Sequence, residues 1–466
     1  MSAFRRKIYN YYLELPSQWR GAASRIIGLL PARYKFGPSF ISKWVFIKKT
    51  EFLPRPEINR ISEQGLREIL LHAFGTTEFY GSSMRAAGID EQEIGKDPVG
   101  MLKKMPMVDK SVLHENMDEF LSSEIRRVKF DRTSTGGTSG EPFYFYINSD
   151  RSAKEWAFMV DQWSRYGFSL SSKRVTFRGT KIRDKGWEED WLTRELKFSS
   201  FQMTDQYIDE IWPPLSTFKP DFIYAYPQTA ILLAKYIEHS GKPLPASVKA
   251  FLIGSENIYK GQKEYIEKVT GCKVYMWYGH SEKLVLGGYC EQEDVYHAYP
   301  QYGYTEFINQ KGEDAQPDEK AEIVGTGFMN TVTPFIRYRT GDYCTYLGDH
   351  CPACGRNYHI FRDVKGRWTQ EVLYGLKGNP ISMSAINIHS DVFLNVFRFQ
   401  FYQQELGKAV LRLMTRKEFT EKDKMAIEKE FNQKFSGSVV VEAEVVEDIP
   451  LTDRGKYKFI DQQIMK

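Results

Sequence analysis

Ala250-Phe251-Leu252-Ile253-Gly254-Ser255-Glu256-Asn257 opens the stretch that decides the fold. It continues through Lys260–Thr270 to Lys273-Val274-Tyr275-Met276-Trp277-Tyr278-Gly279-His280-Ser281-Glu282. The first four residues are a short apolar run stopped by glycine, which reads as a buried strand. The segment from Lys260 to Thr270 reads as a helix. Lys273 to Trp277 reads as a second strand, and a polar turn follows. Upstream the same alternation appears, with strand-like Phe222-Ile223-Tyr224 and a helix from Thr229 to Ser240. Strand and helix in alternation imply parallel sheets covered by helices.

Outward from this centre the character changes. Residues 1 to about 130 read as mainly helical, with Leu66, Ile69, Leu70 and Ala73 forming an apolar stripe. Tyr144-Phe145-Tyr146-Ile147 reads as a strand. The tail reads as β-β-α-β: Val396–Tyr402, Ala409–Met414, a helix, then Ser438–Val446. Thr420 and Asp423 have capping-box spacing at the start of that helix. Ile427, Phe431 and Phe435 mark its buried face. The expected fold is therefore α/β. A large N-terminal domain with helix-covered sheets (1–366, of which 1–130 is a helical lead-in) precedes a small α+β domain (367–466), joined near Lys365-Gly366-Arg367.

A chain of 466 residues exceeds what one core ordinarily supports, which agrees with two domains. The 42% hydrophobic and 27% charged content is that of a globular chain, and a net charge of +4 argues against a nucleic-acid partner. No run approaches the ~18 apolar residues of a membrane span. The expected location is cytoplasmic. Arg5, Arg6 and Lys7 among Ile8, Tyr9, Tyr11, Tyr12 and Leu13 add the alternative of a peripheral membrane association. Five cysteines, an odd number, argue against a disulfide framework.

Four motifs carry candidate chemistry. Thr133-Ser134-Thr135-Gly136-Gly137-Thr138-Ser139-Gly140-Glu141-Pro142 can wrap N–H and O–H groups around phosphate oxygens. It is not a Walker loop, because no Gly-Lys-Ser/Thr follows. In Tyr278–Glu282, Tyr278 could stack on a base, and Glu282 could hold Mg²⁺ through hard oxygen atoms. Ser255 and Glu256 could line the same base pocket. Asp342, in Phe335–Asp342 read as a strand ending in a turn, could accept two ribose hydroxyls. Lys456, with Lys458 as a competitor, lies in an exposed run near the end and could reach a developing phosphate charge.

A separate constellation suits Zn²⁺. Cys351-Pro352-Ala353-Cys354-Gly355 has the C-x₂-C knuckle shape, and Cys290 and His297 would complete a Cys₃His set. His350 and His359 are rival ligands. Cys272 and Cys344 read as buried core thiols.

Together these motifs resemble the adenylate-forming superfamily of acyl-CoA synthetases, and within it the phenylacetate–CoA ligase and capsular-polysaccharide CapK branch. Arg33-Tyr34-Lys35-Phe36-Gly37, Leu71-His72-Ala73 with Phe79-Tyr80, and Lys219-Pro220 leading to Tyr226-Pro227 are similar to that branch. The resemblance implies an ATP-dependent, AMP-forming ligase. Thr135 to Gly140 would hold the β,γ-phosphates, Glu282 the Mg²⁺, and Asp342 the ribose with help from Arg367, while Tyr278 and Gly279, with Ser281, would border the adenine and acyl pocket. Lys456 would bridge the attacking carboxylate and the α-phosphate, carried by a C-terminal domain that turns about its linker. The substrate would be a small carboxylic acid. The acyl group would pass to CoA, or to an amine or hydroxyl of a glycan in surface polysaccharide synthesis, and a non-catalytic nucleotide-binding scaffold is a third reading. Two positions depart from the family pattern: Glu141 stands where many members have lysine, and Thr369 where an acidic hinge residue is usual.

Overall fold

The computed structural model describes residues 36–466 except 136–142, 180–181, 183–185, 191–192, 260, 367–371, 383–385, 387–390, 394, 417–418, 450–458 and 465–466. The principal helices are α1 (Pro38–Thr50), α2 (Arg55–Thr76), α3 (Arg151–Ser164), α4 (Asp205–Phe218), α5 (Pro227–Ser240), α6 (Gln262–Thr270) and α7 (Glu421–Phe435). The strands are β1 (Phe130–Thr135), β2 (Phe143–Asn148), β3 (Arg174–Arg178), β4 (Trp187–Asp190), β5 (Glu195–Ser199), β6 (Phe222–Ala225), β7 (Ala250–Gly254), β8 (Lys273–Gly279), β9 (Leu286–Tyr289) and β10 (Tyr296–Ala298). They continue as β11 (Gly303–Ile308), β12 (Lys320–Gly327), β13 (Tyr338–Gly348), β14 (His359–Lys365), β15 (Val372–Tyr374), β16 (Pro380–Ser382), β17 (Val396–Glu405), β18 (Lys408–Thr415), β19 (Val440–Val445) and β20 (Ile460–Gln462). The chain divides into two units. One comprises 1–133, 145–170 and 275–366, and the other 134–144, 171–274 and 367–466.

In the first unit, α2 buries Leu66, Ile69, Leu70 and Ala73, the stripe seen in the sequence. A series of short helices follows between Glu78 and Phe120. Asp90, Asp97 and Asp109 start three of them, each accepting a hydrogen bond from a backbone N–H of the first turn. The strands of this unit run in the order β11-β12-β13-β14-β10-β9-β8, and their pairings are antiparallel. The parallel sheet expected from the sequence concerned the alternating stretch that ends near Trp277, and these antiparallel strands come after it. Strands such as β9, β10 and β12 are buried on both faces, so they carry no apolar–polar alternation that would announce them.

The second unit holds the parallel part. Its strands run β7-β6-β3-β5-β4, and only β4 is antiparallel to its neighbour. β7 is buried at every position, as its uninterrupted apolar sequence requires. The C-terminal portion forms a sheet of order β19-β18-β17-β20, with α7 making the crossover between parallel β18 and β19. The Thr420–Asp423 capping box is formed in both directions, and Ile427, Phe431 and Phe435 are buried. The β-β-α-β reading gains a hairpin, β15–β16, and a returning strand, β20, parallel to β17. The open edge of β19 is covered by side chains from α7. Asn432 exchanges two hydrogen bonds with the Val441 backbone, at 2.8 and 2.9 Å, and Glu428 accepts from Ala443 N at 2.8 Å. An edge satisfied in this way offers no template to another strand.

Candidate active site

The Tyr278–Glu282 motif lies where β8 ends and turns back into antiparallel β9. A Cβ at Gly279 would come within 3.1 Å of the Trp277 ring and 3.2 Å of Leu286, so a larger residue would press these side chains apart at the strand end. The Tyr278 hydroxyl donates to Asp342 Oδ2 at 2.9 Å. Burial, followed by the Asp342 charge, pushes the phenol well above its ordinary value, so it stays a donor.

Asp342 is not at the end of a strand, as the sequence suggested. It lies inside β13, in a bulge. Arg339 pairs with Val324 and Tyr343 with Glu322, so Thr340, Gly341 and Asp342 oppose Ile323 alone. Gly341 supplies the positive φ of 68° that this needs. Thr340 Oγ1 donates to Ile323 O at 2.6 Å and accepts from Asp342 N at 3.1 Å. The bulge turns the Asp342 carboxylate toward Tyr278.

Glu282 is buried. Its Oε1 accepts from the Tyr338 hydroxyl at 3.4 Å, and its Oε2 lies 3.3 Å from His280 Nδ1. Val285 N–H donates to His280 Nε2 at 3.3 Å, which leaves Nδ1 as the ring nitrogen turned toward Glu282. A buried carboxylate is a hard anionic oxygen site suited to Mg²⁺. The sequence reading therefore named Tyr278, Gly279, Glu282 and Asp342, and the first unit brings them together. Ser281 lies in the same turn.

In the second unit, Ser255 and Glu256 follow β7. Glu256 Oε2 accepts from Gln228 N at 3.1 Å, at the amino end of α5, where the helix dipole favours a carboxylate. Thr135 is the last residue of β1. Gly136, Gly137, Thr138, Ser139, Gly140, Arg367 and Lys456 lie outside the described residues, as does the basic N-terminal segment.

The four zinc-type ligands meet in the first unit. Cys290 follows β9 directly and His297 is the middle residue of β10, which pairs with both β9 and β14. Cys351 and Cys354 lie in the turn between β13 and β14, where Gly355 has φ 78° and its N–H donates to Cys351 O at 2.8 Å. The four ligand atoms lie within 4.8 Å of one another. Cys290 and Cys351 sulfurs are 4.0 Å apart, and Cys354 Sγ is 3.4 Å from His297 Nε2. Around tetrahedral zinc the corresponding separations are ~3.8 and ~3.5 Å, so the donor set fits the ion. The hydrogen bond from Cys290, and then His297, pull the Cys354 thiol far down toward thiolate. Burial, with help from the Arg165 charge, holds His297 neutral, the form a metal ligand needs. The rival histidines are engaged elsewhere, His350 with Asn357 and His359 with Tyr346 and Arg55.

Residues 373–463 match the family model of the CapK C-terminal domain. Protein CapK of Staphylococcus aureus is 22% identical over 417 residues, spanning 86% of this chain and 89% of that protein. A 2-hydroxyisobutyryl-CoA ligase in the postadenylation state, in complex with R3-HIB-AMP, superposes with a TM-score of 0.57 at 18% identity, covering 89% of this chain and 92% of that one. The same ligase with 2-HIB-AMP and CoA in the thioesterification state gives 0.55 at 19%, covering 90% and 92%. The chain thus shares the fold of a CoA ligase of known structure, and its C-terminal portion is similar to the CapK C-terminal domain.

Sequence reasoning missed three residues that stand beside these positions. Tyr338 lies inside the Phe335–Asp342 segment, and its hydroxyl donates to Glu282. Lys283, at φ 60°, was passed over beside Glu282, and it pairs with Glu155 of α3 at 2.7 Å. Arg178 ends β3, at the carboxyl side of a parallel sheet. The rule that drew attention to Ser255 could have found it, had the strand Arg174–Arg178 been recognised. Among the described residues no helix is long and apolar enough to cross a membrane.

Proposed function

We propose that the chain activates a small carboxylic acid with ATP and passes the acyl group to an amine or hydroxyl of a glycan-type acceptor. The reading rests chiefly on the meeting of Tyr278, Asp342 and Glu282 in one unit of an adenylate-forming fold. The match of residues 373–463 to a CapK domain favours the glycan-type acceptor. A carboxylate oxygen attacks the α-phosphate and pyrophosphate leaves. The acceptor's nitrogen or oxygen then attacks the acyl carbonyl, and AMP leaves. In this reading Thr135, Gly136, Gly137, Thr138, Ser139 and Gly140 hold the phosphates, and Asp342 and Arg367 hold the ribose. Ser255, Glu256, Tyr278, Gly279 and Ser281 border the base and acyl group. Lys456, on a mobile domain spanning 367–466, stabilises the charge at the α-phosphate. Mg²⁺ at Glu282 would neutralise phosphate charge. Zn²⁺ on Cys290, His297, Cys351 and Cys354 would tie together two loops. Positioning and electrostatics supply most of the catalysis.

CoA as acceptor is the second reading, favoured by the structural likeness to a CoA ligase. Acid-dependent exchange of radiolabelled pyrophosphate into ATP, across a panel of carboxylic and amino acids without CoA, tests the first half-reaction. The expected result is exchange with one class of acid, abolished in Lys456→Ala. Product formation with CoA or with an amine or glycan acceptor then separates the two readings. Absence of exchange from folded, ATP-binding protein would sink both and leave the scaffold reading.

A further inference from the structure

Ser255 departs from ordinary backbone geometry. Its φ is 69°, in the left-handed region that a side chain disfavours, and the residue is not glycine. Something outside the turn must hold it there. Glu256, next in sequence, is fixed by Gln228 N at the start of α5. Ser255 is held from the opposite side by Arg178.

Arg178 ends β3, and β6 lies between β3 and β7. To touch the end of β7 its side chain must cross about two strand spacings, roughly 10 Å. It does so by lying across β6. The guanidinium carbon is 4.8 Å from the Tyr224 ring centroid and 4.1 Å from that of Tyr226. These two residues alternate along the chain and so present their rings on one face. From that rest, Nη1 donates to Gly254 O at 3.3 Å and Nη2 to Ser255 Oγ at 2.9 Å. Tyr226 is held in turn by Gly179 N, which donates to its hydroxyl at 3.4 Å. The planar two-armed fork matters, because one arm takes the carbonyl before the strained residue and the other its side chain. A lysine ammonium is a point charge and cannot span both in one plane.

We propose that Arg178 is a positioning residue for nucleotide recognition: it locks the Gly254–Ser255 turn in the conformation that presents the turn's backbone and Glu256 to the base. The proposal rests on the function proposed above, in which this turn borders the base. It makes a demand that a general stabilising role does not. Loss of the fork must weaken binding of the base and leave binding of the phosphates alone.

The test compares ATP with inorganic tripolyphosphate, which has the same phosphate chain and no base, by titration calorimetry with Mg²⁺ on the full chain. Arg178→Lys is expected to raise the Kd for ATP tenfold or more while that for tripolyphosphate changes less than twofold. Ser255→Gly in the same chain should recover most of the lost ATP affinity, since glycine holds a positive φ without a tether. Equal weakening of both ligands, an unchanged ATP affinity, or no recovery in the double variant overturns the proposal while leaving the function reading intact. A wild-type chain that binds ATP no better than tripolyphosphate overturns both. A thermal melt on each variant identifies any that fails to fold, and Arg178→Gln then replaces Arg178→Lys.

Discussion

Glu195 offers the most exacting test of the electrostatics beneath the parallel sheet. It sits on β5 against β3, fully enclosed, and its carboxylate meets Arg174 at 3.1 Å and the hydroxyls of Thr176 and Thr193. Burial alone would push its pKa up. Arg174, then Lys197, then the hydrogen bonds from Thr176 and Arg174 more than offset this and bring it from 4.5 down to about 2. The sign follows from linkage. A carboxylate depressed in the folded state contributes stability above its unfolded value, and loses it as pH falls through the folded one. A gap of roughly 2.5 pH units corresponds to about 3 kcal/mol at neutral pH, about 2.5 at pH 4 and about 1.4 at pH 3. The perturbation is Glu195→Gln, which keeps shape and removes the charge. Urea melts of both proteins at pH 7, 4 and 3 supply the assay, and the remaining carboxylates cancel in the difference. The stability gap should shrink by about half or more between pH 7 and pH 3. A gap constant over that range would mean that the carboxylate does not titrate there, and the account of Arg174 as its main counter-charge would fail. Removing the main partner instead, as Arg174→Met, leaves the buried anion with Lys197 as its remaining counter-charge, 3.9 Å away, and should cost up to about 3–5 kcal/mol at pH 7.

Tyr278→Phe removes a hydrogen bond to the half-buried Asp342 carboxylate, of the kind that contributes about 1.5–3 kcal/mol. In pyrophosphate exchange the KM for ATP should rise at least about tenfold, and a KM within twofold of wild type would separate Tyr278 from the nucleotide. Cys354→Ser takes a thiolate from the Cys₃His set. Elemental analysis should show bound zinc falling from about one ion per chain to a small fraction of that, with a lower melting temperature. Equal zinc in both proteins would place the ion elsewhere. Asn432→Ala uncovers the β19 edge by breaking two hydrogen bonds to Val441, at a cost of about 1–3 kcal/mol. It should also promote self-association, read by light scattering, and a variant as monodisperse as wild type would show that the edge is protected by other means.

How much of this could be read beforehand depended on whether a feature is local. The α7 capping box and the β7 strand are both complete within a few consecutive residues, and both stand in the structure where the sequence put them. The zinc-type set was partly local, since C-x₂-C announces itself. Its other half, Cys290 and His297, needed the assumption that a distant hairpin would fold back, and the β9–β10–β14 register supplies that return. What stayed hidden depends on pairing. Strands β9 to β12 are short and buried on both sides, so composition alone does not separate them from loop or helix. The bulge that aims Asp342 is an extra pair of residues in β13 relative to β12, and neither strand reveals it alone. Arg178 is the sharpest case. Nothing in Arg174-Val175-Thr176-Phe177-Arg178 marks its last residue as different from its first. Arg174 is consumed by Glu195 in the sheet interior, while Arg178, four residues on and past the last register pair with β6, emerges over two tyrosines to reach a strained serine. Two arginines with the same side chain thus have opposite tasks, one in the core and one at the site. The difference arises from where β3 ends relative to β6 and β7, which only the assembled sheet defines.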